Sequence, residues 1–301
     1  MAQGKSLWER FVEHVEGVGE KVFKEGVPGC IDPARHVQEL VELRRQDDGQ
    51  PLLLRELRPT TSLWRVVRFR RGETVDLSAG RMGAPPSTHA RAGRANREGE
   101  SVFYAADYEP TAVLEVIRRY HRCAVLRWLA VTLGQRRGLA VATWVPKSSA
   151  STPDQGQSCP IRGELLVLDM TAIVGEQSQP WLAFFRDFAA ALGKSVPARR
   201  FGGRALLGYL PTQYVVAAVW QWRGSGTPHQ VDGLLFPSST ARRHGYDTKN
   251  LVVFDAGHVE MVGDSARLVR SCDPVWDELN RACDPNDKGG ECERIDLGKE
   301  L

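Results

Sequence analysis

The stretch Gly93–Glu115 reads GRANREGESVFYAADYEPTAVLE and places three kinds of local structure in succession. A loop rich in glycine and arginine comes first. The apolar, aromatic and small residues of Val102–Ala106 then favour a strand, in which Tyr104 shares a face with every second residue. Pro110 marks the first turn of a helix that carries Glu115 at the edge of its apolar face. This order predicts a domain that mixes strands and helices.

The rest of the sequence continues this mixture. Further strands are predicted at Leu63–Phe69, Ala124–Thr132, Leu139–Val145, Glu164–Met170, Gly233–Phe236 and Leu251–Asp255, and helices at Trp181–Leu192 and Thr212–Trp222. Two helices are predicted before them, and the second begins at Asp32, an N-cap followed by proline. The apolar residues that these two helices would bury are Leu7, Phe11, Val15, Val18, Val22, Val37, Leu40 and Val41. We therefore predict an α+β fold, with a mixed β-sheet core, flanking helices and an N-terminal helical extension.

The composition is that of a folded protein without a membrane span. At 301 residues and 42% hydrophobic content, the chain can bury a sizeable core. No apolar stretch approaches the ~20 residues of a membrane span, and acidic residues interrupt the N-terminal segment where a signal peptide needs an apolar centre. A cytoplasmic location is therefore expected. The net charge of +3 is too small to indicate a protein that binds nucleic acid.

Several kinds of catalytic and metal site are not indicated. The sequence contains no GxxxxGK[ST], no GxGxxG after a strand, no HExxH and no GxSxG motif. Its six cysteines include no CxxC pair, so we expect reduced thiols and no bound metal. The chemistry must come from other residues, and the Gly93–Glu115 stretch is the strongest candidate.

Four landmarks, in the expected order, resemble the RES domain family of toxins from bacterial toxin–antitoxin systems. They are Leu63-Trp64-Arg65-Val66, then Gly93-Arg94-Ala95-Asn96, then Val102–Ala106 with Thr111, Ala112 and Glu115, and finally Asp232–Ser239 followed by Asn250–Phe254. The resemblance spans Leu63–Asp255 and implies a fold like that of ADP-ribosyltransferase toxins. We expect a helical extension at residues 1–58, a RES domain at 59–258 with a mobile insertion at 147–160, and a tail at 259–301.

The resemblance implies that NAD⁺ is the substrate and assigns residues to its binding. Arg65 and Arg94 would hold the pyrophosphate, a role that suits the bidentate guanidinium. Asn96 lies in the same loop as Arg94 and would also contribute to binding. Tyr104 would stack on the nicotinamide. Phosphate is the expected co-substrate if the reaction is a phosphorolysis, and water if it is a hydrolysis.

The implied catalytic set consists of Glu115, Tyr104, Arg65 and Ser238. The carboxylate of Glu115 would bind a ribose hydroxyl and stabilise the positive charge that grows on the sugar as nicotinamide leaves. The hydroxyl of Ser238 would reach the same site and also bind NAD⁺. Ser238 is favoured over Ser239 by its place in the motif.

Other interpretations of the same residues stay open at this stage. Tyr104 would be an ordinary core residue, and Glu115 a surface residue paired with Arg118 or Arg119, if the resemblance were accidental. Two other functions compete with NAD⁺ degradation. The protein could be an ADP-ribosyltransferase that modifies a macromolecule, or a binding module without catalytic activity. The family also implies a partner antitoxin, and self-association that blocks the site is the alternative form of control.

Overall fold

A computed structural model describes residues 5–27, 29–43, 49, 52–69, 73–117, 138–147, 164–173, 179–193, 209–222, 231–242, 247–269 and 273–275. Several predictions lie outside these residues: the strand Ala124–Thr132, residues 148–160 of the insertion, and residues 276–301 of the tail. The cysteines at 123, 159, 272, 283 and 292 lie outside them as well. Cys30 is described and is a free, partly buried thiol.

One sheet forms the centre of the described fold. Its strands are β1 (Leu54–Leu57), β2 (Leu63–Arg68), β3 (Phe103–Ala106), β4 (Leu139–Pro146), β5 (Leu165–Asp169), β6 (Gly233–Pro237), β7 (Lys249–Val253), β8 (Val259–Met261) and β9 (Arg267–Leu268). Their order is β1-β5-β6-β7-β3-β2-β4-β8, and β9 also pairs with β4. β5 and β6 are parallel, whereas the other described pairs are antiparallel. The sheet is therefore mixed, as predicted.

Helices flank this sheet. They are α1 (Leu7–Val18), α2 (Val22–Glu25), α3 (Pro33–Glu42), α4 (Ala79–Met82), α5 (Glu109–Ile117), α6 (Pro180–Gly193), α7 (Leu210–Gln221) and α8 (Ser239–Arg242). Short 3₁₀ turns span Gly19–Lys21, Ser87–His89, Met170–Ala172 and Ala256–His258. Among the described residues, no helix combines the length and apolar character that crossing a bilayer requires.

The predicted elements that fall within the described residues are present and, apart from the first helix, their bounds differ from the predicted ones by at most two residues. The Asp32 side chain accepts from the Ala34 amide and caps α3 as predicted. The first helix is shorter than expected, because it ends at Val18 and Gly19 adopts a φ of 66°. Strands β1, β8 and β9 and helix α4 were not predicted, and each has only two to four residues. Such short elements show too little periodicity to be recognised.

The two faces of the sheet carry separate hydrophobic clusters. On one face, α1, α3, α6 and α7 pack around Phe11, Leu40, Phe184 and Val252, so the N-terminal helices share a core with the sheet. On the other face, a cluster runs from Leu57 of β1 to Val259 of β8. Because residues from both ends of the strand order join this cluster, the sheet curls around it. A third cluster lies under α5.

Candidate active site

The carboxylate of Glu115 lies at the centre of a hydrogen-bonded group. Helix α5 packs through Val113 and Leu114, which leaves the next side chain, Glu115, 17% exposed. Its Oε1 atom accepts from the Ser238 hydroxyl at 2.8 Å and from the Asn250 amide at 2.9 Å. Its Oε2 atom lies 3.4 Å from a guanidinium nitrogen of Arg94. We call these four residues, Arg94, Glu115, Ser238 and Asn250, the Glu115 network.

Ser238 follows the last residue of β6 and is only 1% exposed. Its hydroxyl donates to Glu115 and accepts from the Ala241 amide at 3.0 Å, which caps the first turn of α8. Ser239 lies apart, since its hydroxyl donates to the carbonyl of Gly193. The structure thus brings Ser238, the favoured serine, to Glu115.

Asn250 completes the Glu115 network. It belongs to the landmark Asn250–Phe254, but no role was predicted for it from the sequence. It lies in β7 opposite Ala106 of β3 and Phe236 of β6 and is 5% exposed. Because Ala106 is two residues from Tyr104, Asn250 lies on the same face of the sheet as the Tyr104 side chain. An asparagine at the start of the apolar run Leu251–Phe254 was the available signal.

Arg94 links the Glu115 network to helix α6. Its guanidinium is buried and donates to the main-chain carbonyl of Leu192 at 2.6 Å, in the last turn of α6, as well as facing Glu115. A cation at a helix C-terminus satisfies carbonyls that have no partner within the helix. Arg94 is therefore held by protein groups in this structure, and its predicted contact with a pyrophosphate stays a prediction.

Asn96 organises the loop that carries Arg94, which we call the arginine loop (residues 91–100). Its side-chain amide donates to the carbonyls of Arg91, Arg97 and Glu100 at 2.9 to 3.0 Å. Its side-chain oxygen accepts from the Tyr104 hydroxyl at 3.0 Å. Both ends of the buried Asn96 side chain are thus used to hold the arginine loop, and the predicted role of Asn96 in binding NAD⁺ stays a prediction.

A second buried amide, Gln213 of α7, holds the arginine loop from outside. It donates to the carbonyls of Gly93 and Asn96 at 2.7 and 2.8 Å. The loop has no room for a side chain at Gly93, where an added Cβ would lie 2.6 Å from the Asn96 side-chain oxygen. Gln213 was not among the residues predicted from the sequence. Its signal was a glutamine within a helix, Leu210–Gln221, that is otherwise almost wholly apolar.

Tyr104 joins the sheet to the arginine loop. Its hydroxyl accepts from the Ala95 amide at 2.9 Å and donates to Asn96. Burial raises the pKa of the Tyr104 phenol to about 12, so it is neutral near pH 7 and can serve both partners. Its ring is partly buried against the cluster that contains Phe184. The predicted stacking of Tyr104 on nicotinamide stays a prediction.

Arg65 does not join the Glu115 network. Because Trp64 pairs with Ala106, Arg65 lies on the face opposite the Tyr104 side chain. Its guanidinium donates to the carbonyls of Met82 at 2.8 Å and Tyr104 at 2.7 Å and lies 5.0 Å from the centre of the Phe103 ring. Burial lowers the pKa of Arg65 to about 10, so it remains charged at neutral pH. Arg94 and Ser238 therefore meet at Glu115 and Tyr104 is linked to Arg94 through the arginine loop, whereas Arg65 lies on the opposite face of the sheet, apart from their side chains.

The comparisons with known proteins bear on this arrangement. The family model described as RES domain matches residues 62–277. The chain belongs to the RES domain family. The match includes β2 to β9 and all four residues of the Glu115 network, whereas α1 to α3 and β1 precede it. The boundaries predicted at residues 58 and 258 stay predictions.

The structural comparison found the crystal structure of the M. tuberculosis MbcT–MbcA toxin–antitoxin complex. Its matching chain is 12% identical to this RES domain protein with a TM-score of 0.43, over 83% of this chain and 97% of that chain. The sequence comparison with curated proteins gave no match. Within the residues that the structure describes, no three His, Cys, Asp or Glu side chains are grouped in a way that could hold a metal ion.

Proposed function

We propose that this RES domain protein is a toxin that breaks the bond between nicotinamide and ribose in NAD⁺, by phosphorolysis or hydrolysis, and is controlled by a partner antitoxin. The proposal rests on the contacts of the Glu115 carboxylate. A serine hydroxyl, an asparagine amide and an arginine hold it, in a domain whose family resemblance implies NAD⁺ consumption.

The chemistry follows from the charge that develops on the ribose. As the bond from the ribose carbon to nicotinamide breaks, the electron pair leaves with the nicotinamide nitrogen and the sugar becomes an oxocarbenium-like cation. A carboxylate already fixed beside this carbon stabilises the cation without having to reorganise. Phosphate or water then forms the new bond to the ribose carbon, and water loses a proton in doing so. In this proposal, the carboxylate is that of Glu115.

The two arginines would have different parts in this reaction. The Arg94 guanidinium lies 3.4 Å from Oε2 of Glu115 and helps to hold the carboxylate in place. It also supplies positive charge close to the place where an anionic pyrophosphate would bind. Arg65 remains a candidate for binding the substrate from the other face of β2, and its part in the reaction is the least supported by the geometry.

The experiment that tests the activity is incubation of the purified chain with NAD⁺, with and without phosphate, followed by identification of the products. Phosphorolysis gives nicotinamide and a phosphorylated ADP-ribose only when phosphate is present, whereas hydrolysis gives free ADP-ribose in both cases. Release of nicotinamide with ADP-ribose attached to a macromolecule would instead identify a transferase. NAD⁺ that remains intact under all conditions would contradict the proposal.

The biological part of the proposal has its own test. Expression of the chain alone should lower cellular NAD⁺ and stop growth, and coexpression of the partner antitoxin should relieve both effects. The matched control is the Glu115→Gln variant expressed at the same level. Unchanged NAD⁺ and growth, with a purified protein that is monomeric and active on NAD⁺, would contradict the proposed control by a partner.

A further inference from the structure

We propose that Asn250 is a positioning residue, which fixes the Glu115 carboxylate for the reaction by acting on the oxygen that Ser238 also holds. This inference rests on the proposed function. It adds a residue that received no role in the sequence analysis, and it states what that residue does: it orients the carboxylate without cancelling its charge.

One oxygen of the Glu115 carboxylate is held by two donors. Oε1 of Glu115 accepts two hydrogen bonds, from Ser238 just after β6 and from Asn250 within β7. Two donors from different elements restrict rotation of the carboxylate more than one donor can. The amide nitrogen of Asn250 can only donate, so Oε1 must act as an acceptor. The two donors together fix the orientation of the carboxylate.

The Asn250 side chain is itself held rigidly. Asn250 lies in a strand with a paired neighbour on each side, Ala106 in β3 and Phe236 in β6. With 5% of its surface exposed, it has little space to adopt another rotamer. A reactive group is best held by residues that are themselves fixed by packing and by regular structure. Asn250 meets both conditions.

Asn250 and Arg94, which both contact Glu115, differ in charge. Arg94 also contacts Glu115, but its positive charge opposes the part that the carboxylate has to play beside a growing cation. The neutral amide of Asn250 holds the carboxylate and leaves its negative charge in place. Asn250 and Arg94 therefore have different roles in the Glu115 network: the first orients the carboxylate through Oε1 without adding charge, and the second places a positive charge beside Oε2.

The test compares three variants of the full chain in NAD⁺ turnover. Asn250→Leu removes the donor and keeps the branching of the side chain, and Asn250→Asp replaces the amide with a carboxyl group. Thr248→Val is the matched control. It removes the hydrogen bond between Thr248, just before β7, and buried Thr111 of α5, the helix that carries Glu115, without touching Glu115 itself. Loss of a positioning contact should lower kcat by about tenfold to a hundredfold with little change in KM. Thr248→Val should keep the wild-type kcat.

A pH profile separates positioning from a purely structural effect. At alkaline pH, Asn250→Asp places a second negative group beside Glu115 and should be the least active variant. As the pH falls, the two carboxyl groups share one proton, and a protonated carboxyl can again donate to Glu115. The activity of Asn250→Asp relative to the wild type should therefore rise toward acidic pH, whereas that of Asn250→Leu should not.

A measurement that does not depend on turnover keeps this inference distinct from the proposed function. Urea unfolding of Asn250→Leu, Glu115→Ala and the double variant tests whether the two side chains are coupled, and coupling appears as a double effect smaller than the sum. Glu115→Ala is used here because Glu115→Gln keeps an oxygen that can accept from Asn250. Wild-type kcat in both Asn250 variants, together with additive unfolding, would overturn the inference even if NAD⁺ is consumed. Coupling in a chain that leaves NAD⁺ intact would support the orientation of Glu115 by Asn250 and refute only the proposed function.

Discussion

The Arg94 guanidinium donates to the main-chain carbonyl of Leu192 at 2.6 Å while it also faces Glu115 at 3.4 Å. A planar guanidinium can serve two acceptors in different directions, which an ammonium at the end of a flexible chain does less well. Arg94→Lys should therefore lower the free energy of unfolding by about 1 to 3 kcal/mol, the cost of leaving a buried acceptor unsatisfied. Urea unfolding measures this effect. The control is Arg97→Lys in the same loop, where an exposed ion pair with Glu100 is worth less than about 1 kcal/mol. Equal effects of the two changes would contradict the importance of the Arg94 contacts.

Glu115→Gln should abolish most of the turnover and keep the fold. The amide oxygen can take the place of Oε1 and accept from Ser238 and Asn250, but the amide nitrogen then faces Arg94, another donor. Without the negative charge, the barrier should rise by about 3 to 4 kcal/mol, roughly a hundredfold to a thousandfold in rate. NAD⁺ turnover measures the loss, and circular dichroism checks the fold. Turnover near the wild-type rate in a folded variant would remove Glu115 from the mechanism.

Gln213→Leu should loosen the arginine loop. The change removes both donors to the carbonyls of Gly93 and Asn96, and a buried carbonyl without a partner costs about 1 to 3 kcal/mol. Hydrogen exchange of amides in residues 91–100 should become faster, while exchange in β5 and β6 stays slow. Gln38→Leu is the control, since the Gln38 amide donates to Glu42 on the exposed side of α3. Unchanged exchange in the loop would show that Gln213 does not hold it.

The Tyr104 phenol should make stability fall at alkaline pH. Its folded pKa of about 12 lies above the ordinary tyrosine pKa of 10.0, so the unfolded chain ionises first as the pH rises. The stabilisation is complete below about pH 10 and is lost as the pH approaches 12, by about 2 to 3 kcal/mol in total. Urea unfolding at pH 9 and pH 11.5 should therefore show a stability difference between the wild type and Tyr104→Phe that shrinks at the higher pH. A constant difference would contradict the raised pKa.

Much of this fold could be predicted because its longer helices and strands carry a recognisable local sequence pattern. Asp32 and Pro33 start α3 as expected, and the apolar runs of β4 to β7 lie where the pattern placed them. Strand β1 escaped prediction because Arg55 and Glu56 occupy half of its four residues and are exposed. Pairing with β5, rather than its own sequence, makes this segment a strand.

The candidate site was predicted less completely, because it depends on how strands align with each other. Alternation within β2 fixes that Trp64 and Arg65 face opposite ways, but only the pairing of Trp64 with Ala106 reveals which of them shares a face with Tyr104. The same limitation hid Asn250, whose neighbours come from β3 and β6. Residue types and their order can indicate a site, whereas register decides its members.

The position of Asn250 in the chain has a consequence for the time at which the site can form. The Glu115 carboxylate is synthesised well before Ser238 and Asn250, which hold it. At translation rates of ~5 to 20 residues per second, a ribosome needs roughly 7 to 27 s to pass from Glu115 to Asn250. A growing chain that still lacks β7 cannot have the complete Glu115 network. An enzyme that consumes NAD⁺ in the proposed way would therefore remain inactive until β7 has been synthesised, and a partner would have the interval after Glu115 in which to bind the nascent protein.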